Sequence, residues 1–205
     1  MNLNIFKVSS SVDGNFEKPN IALALVIVIV PAIIAAIGYI ADGLNIDWAE
    51  FAIQHIVMRY VLFFVLAAMI FAIGIAFHRK SREGLFAGVV SALGFFYVFA
   101  IILAVISQLA QRLVFSPAFL AKLQLLSAAT TQEAAATVAL LIATMPKEIN
   151  FPLFFALIII GLIIYVWQYF TLYKIISFSS GERPWVNIAC WAVVVFIYGL
   201  ISAAL

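Results

Sequence analysis

Charge is nearly missing from this chain. Aspartate, glutamate, lysine and arginine make up 10% of its 205 residues, against about a quarter in an ordinary soluble domain. Hydrophobic residues supply 67%. A soluble fold of this length has too little interior to hide so much apolar side chain, so lipid must be the solvent over most of the chain. The net charge of +2 comes without a basic stripe, which excludes nucleic acid as a partner. Cysteine is equally scarce. Cys190 stands alone in an apolar run, excluding an intramolecular disulfide and a thiolate metal site, and is read as a small packing residue. Only two histidines occur, His55 and His78, and no HExxH, GxSxG, P-loop or glycine-rich dinucleotide turn is present. The expectation is a protein that is not an enzyme, with no catalytic residues, no cofactor and no metal.

What is there is a series of apolar runs. A helix needs about 20 apolar residues to cross a bilayer, and five runs satisfy this: about 21–41, 52–77, 84–110, 149–172 and 185–205. The first begins only after the polar stretch Met1 to Asn20 and is too long for a cleavable signal core, so it reads as a retained signal anchor. The predicted fold class is all-α, a polytopic transmembrane helical bundle of five spans plus short interfacial helices. Those extra helices belong between the third and fourth spans. Ser116-Pro117 opens a mildly amphipathic stretch to Leu126, and Thr130 and Glu133 have capping-box spacing ahead of an apolar run ending near Met145. That run is about half a bilayer long, so the segment is expected to lie in the interface or re-enter it. A sixth span is the alternative.

Basic residues near span ends set orientation. With the N-terminus in the cytoplasm, five spans place Lys7, Lys18, Arg79, Lys80, Arg82, Lys174 and Arg183 inside, and Arg112, Lys122 and Lys147 outside. The C-terminus is then outside.

Ionisable groups at membrane depth are functional hints. Only Arg59 lies inside a run, in the first turns of the second span, with His55 one turn earlier on the same face and Asp47 and Glu50 nearby. This polar cluster, His55 and Arg59, admits two readings: an outward-facing anion or proton site, or a snorkelling belt that anchors the span. Gln108 and Gln168 read as interhelical glue. Small residues form two stripes, Ala68, Ala72 and Ala76 at the end of the second span and Gly84, Gly88 and Ala92 at the start of the third. Such stripes let helix backbones approach closely; they are expected to pack on each other across the short turn, or to form an oligomer interface. Tyr165, Trp167, Tyr169, Tyr173 and Trp185 read as an aromatic belt, with an aromatic-lined pocket as the other reading.

The layout resembles the Yip-domain family of Ypt/Rab-interacting membrane proteins. The residues carrying this are Asn4-Ile5-Phe6, then Glu17-Lys18-Pro19-Asn20 before the first span, the basic turn into Gly84, Tyr165-Val166-Trp167 with Tyr169 in the fourth span, and Gly181-Glu182-Arg183-Pro184 before the last. The resemblance implies residues 1–20 as a cytoplasmic segment and 21–205 as one Yip-like membrane domain. It lacks the long cytosolic N-terminal region and DLYGP-like motif of eukaryotic members, which argues against a small GTPase partner and for a prokaryotic-type member. The implied role is non-enzymatic: organising the membrane or partner proteins from a multi-pass position in a prokaryotic cell membrane. Expected partners are membrane lipids, other membrane proteins or a second copy of the chain. A small transporter or channel is the alternative function.

Overall fold

The computed structural model describes residues 3–41, 46–77, 84–116, 118–119, 138, 145 and 148–204. Regular structure among them is helical: α1 Val8–Glu17, α2 Ile21–Ala41, α3 Trp48–Phe77, α4 Leu85–Val114, α5 Phe151–Ser180 and α6 Pro184–Ala204. All but α1 are long and apolar enough to cross a bilayer. The chain is an all-α, multi-pass membrane protein with five candidate spans, the fold class read from composition.

Local chemistry explains where the boundaries depart from expectation. Helix α3 starts at Trp48 rather than near residue 52, because the Asp47 carboxylate accepts from the backbone N–H of Ala49 and Glu50 and caps it. Residues Ala52–Val57 form a π-helical turn inside α3, in which Met58 N–H donates to Ile53 O, five residues back. Helix α5 runs two turns past residue 172 and stops at Gly181, whose φ of +63° suits glycine. The basic turn at 78–83 and the helices expected between Ser116 and Met145 lie outside the described residues.

Two units pack separately, one of Met1–Ile102 with Tyr165–Leu205, the other of Leu103–Ile164. In the first, α4 is the enclosed helix, with Val89, Leu93, Phe95 and Phe99 buried alongside Phe63, Leu66 and Ile70 of α3 and Leu172, Ile175 and Ile176 of α5. The Tyr60 hydroxyl crosses to donate to Leu25 O of α2 at 2.9 Å. In the second unit, Val114, Phe119 and Ile149 form a small core, with Phe115 stacked on Phe119. Phe115 and Ile149 pair as an isolated antiparallel bridge.

The polar N-terminal segment holds a helix of its own. Helix α1 buries Val8, Ser11, Val12 and Asn15, positions i, i+3, i+4 and i+7 that form one helical face. A helix of 10 residues is marginal alone, so packing holds it. Its Phe16 ring lies 4.4 Å from that of Phe178 on α5 and fills the space in front of Gly88 on α4. Just beyond α1, Asn20 N–H donates to Ser91 Oγ at 3.0 Å.

Candidate functional site

The two ends of the first unit differ in chemistry. At the α2–α3 end, Tyr39, Ile46, Asp47, Glu50, Phe51, Gln54 and His55 line a cavity of about 310 Å³. Each side chain is set by a local feature. Asp47 is fixed by its capping bonds, and Glu50 Oε1 accepts from Gln54 Nε2 at 2.8 Å. The widened π-helical turn carries Gln54 and His55; such turns recur at functional sites. The His55 ring lies 4.5 Å from Phe51, and Tyr39 approaches both at 6.0 and 6.2 Å. Two carboxylates beside aromatic faces give the mouth a negative, cation-accepting character.

Arg59 does not line this cavity. It is half-buried one turn further along α3, close enough to His55, Tyr97 and Tyr198 to act on them electrostatically. The sequence brought His55 and Arg59 together; the structure puts His55 on the cavity wall and Arg59 beside two phenols that sequence distance concealed.

The other end gathers α1, the start of α4, the end of α5 and the start of α6. Asn187, 1% exposed, organises the α5–α6 turn. Its Nδ2 donates to Ser177 Oγ and to Glu182 O at 3.0 and 2.9 Å, while its Oδ1 accepts from Ser180 Oγ. Asparagine on an apolar run was the available signal for this network.

The two stripes of small residues do not face each other. Ala68, Ala72 and Ala76 are exposed, whereas α3 buries Phe63, Leu66, Ala67, Ile70 and Gly74. The close approach is at Gly74, where an added Cβ would lie 2.8 Å from Leu85 Cδ2 and 3.4 Å from Ser179 O. On α4, Gly88 and Ala92 are buried, but Gly88 receives Phe16 rather than an alanine of α3. Gly84 is exposed at φ +76°, a turn residue. The reason is that lipid accepts alanine readily, so a run of small residues does not fix which face turns inward.

Of the aromatic residues near the α5–α6 turn, Tyr165, Tyr169 and Tyr173 line a groove with Trp191, while Trp185 is 68% exposed. Gln168 is buried, and Gln108 Oε1 is buried with no hydrogen-bond partner among the described residues. Cys190 is half-buried on α6.

The chain matches no family model, no curated protein and no solved structure.

Proposed function

We propose that this is a non-enzymatic, Yip-like membrane protein that organises the membrane or partner proteins from its cytoplasmic end, in a prokaryotic-type cell membrane with the N-terminus inside and the C-terminus outside. The observation that carries the reading is the docked α1. Its packing on α4 and α5 turns a short polar leader and two helix ends into one surface. That surface carries Lys7, Lys18 and Arg183 and leaves Phe6 84% exposed. Basic residues around an exposed aromatic suit the cytoplasmic headgroup region and the acidic faces of membrane partners.

The test is site-specific photo-crosslinking in the native membrane, followed by mass spectrometry. A crosslinker at Phe6 or Lys18 should capture a defined membrane protein or a second copy of the chain, and one at Trp48 should not. Crosslinks from Trp48 alone, or none from either end, would refute the reading.

The cavity around Asp47, Glu50 and His55 favours a second reading, a small transporter or channel. Flux of an organic cation into proteoliposomes, abolished by Glu50→Gln, would establish it in place of the first.

A further inference from the structure

The apolar groove between α5 and α6 has a cation beside one end. Tyr165, Tyr169, Phe170 and Tyr173 of α5 face Ile188 and Trp191 of α6 across a volume of about 790 Å³, within the range of small-molecule and lipid sites. Along most of its walls the polar atoms are used internally. The Tyr165 and Tyr169 hydroxyls bond each other at 2.9 Å, and Trp191 Nε1 donates to Tyr169 O at 3.1 Å. What these side chains offer an occupant is ring and hydrocarbon surface.

The end nearest the α5–α6 turn is different. Lys174 lies just outside the lining, with its Nζ 5.5 Å from the centre of the Phe170 ring, on which Tyr173 also stacks. The amine's contact within the described chain is thus an aromatic face rather than a carboxylate. Lys174 lies six residues before the end of α5, about 9 Å along the helix, where a lysine amine reaches headgroup level.

We propose that this groove holds an acyl chain of an anionic phospholipid, with the phosphate bound by Lys174 and the Tyr173 hydroxyl. Hydrocarbon is no better solvated in the groove than in the bilayer around it, so the apolar walls give residence without selectivity. Selection falls on the headgroup, and the Lys174 cation beside the groove's end sets its sign. A basic side chain at headgroup level beside a groove between spans is an arrangement suited to anionic lipid. The inference concerns a lipid ligand and stands apart from the partner-organising role, since its test uses the purified chain alone.

Native mass spectrometry of the full-length protein in mild detergent decides it, with equimolar phosphatidylglycerol and phosphatidylcholine of identical acyl chains. The expected result is preferential retention of one phosphatidylglycerol, by about fivefold for a single lysine–phosphate contact. Lys174→Gln should bring the ratio near one, while Lys174→Arg keeps it. Independently, phosphatidylglycerol brominated on its chains should quench Trp191, so the quenched fraction should fall in Trp191→Phe. Equal retention of the two lipids by the wild-type protein, or an unchanged ratio in Lys174→Gln, would overturn the proposal. Should Lys174→Gln fail to fold, quenching of the wild-type protein decides alone: equal quenching by brominated phosphatidylcholine refutes the site.

Discussion

Gly88→Ala is the smallest change that should release α1. A Cβ at residue 88 would clash with Phe16 Cδ1 and fall 3.0 Å from Cε1 and 3.2 Å from Cγ. The ring is backed by Phe178 at 4.4 Å, so it cannot swing clear without losing that contact. Overpacking of this kind costs about 1–3 kcal/mol. Alanine also raises helix propensity by about 1 kcal/mol, but Gly88 stays helical whether α1 is docked or free, so this gain cancels in the docking equilibrium. Against the penalty stand the buried side chains of Val8 and Val12 and the contact of Phe16, each aliphatic burial contributing about 1.5–3 kcal/mol. The undocked population should therefore rise about 5- to 150-fold while the spans stay folded. Hydrogen exchange in detergent micelles reads this directly, because amides of Val8 to Phe16 should lose protection and those of α4 should not. Phe16→Ala removes the clashing ring, so the double variant should differ from Phe16→Ala by far less than Gly88→Ala differs from wild type. Unchanged protection of α1 in Gly88→Ala, or an undiminished effect in the Phe16→Ala background, would refute the socket.

Gly74→Val should lower the thermal midpoint in detergent, with a cost of about 1–3 kcal/mol, because its side chain would meet Leu85 and the Ser179 carbonyl. Ala72→Val, on the exposed face of the same helix, should stay within about 0.5 kcal/mol of wild type; the reverse order would restore the alanine stripe as the packing face. Asn187→Ala should cost about 1–3 kcal/mol by leaving Ser177, Ser180 and Glu182 O short of a partner, read as earlier thermal loss of ellipticity. Gly181→Ala, at φ +63°, should cost about 1–2 kcal/mol in the same melt, and no shift would mean the turn relaxes freely.

What the sequence made legible follows from contrast. Water against lipid is a large contrast, so five runs between polar breaks mark five helices, and their limits move only where a cap or a positive φ intervenes, as at Asp47 and Gly181. Inside a span the contrast vanishes, since both faces are apolar and no polar period marks the inner one. That is why Ala68, Ala72 and Ala76 looked like a seam, while the buried face runs through Ala67, Ile70 and Gly74. The partner of Gly88 was hidden for another reason. Phe16 belongs to a segment whose mixed charge reads as solvated leader, and only its spacing of Val8, Ser11, Val12 and Asn15 betrays a docking face. His55 was legible because a titratable ring in an apolar run is rare. Its cavity was not, because Tyr39 reaches it from another helix.

The connection between α4 and α5 governs the side on which everything after it lies. Its flanks are joined by backbone hydrogen bonds: Ser116 N–H donates to Glu148 O, and Asn150 N–H to Val114 O, both at 2.9 Å. Helix α5 therefore sets out from the place where α4 arrives, with Phe115 and Ile149 bridged. The first unit gives the same answer independently. Phe178, near the end of α5, packs on Phe16, and Gly88, near the start of α4, receives the same ring. Helix α4 thus departs from the end at which α5 finishes. Lys7 and Lys18, flanking α1, share that end with Lys174 and Arg183. The contacts at residues 114–150 and those among Gly88, Phe16 and Phe178 thus each support antiparallel α4 and α5.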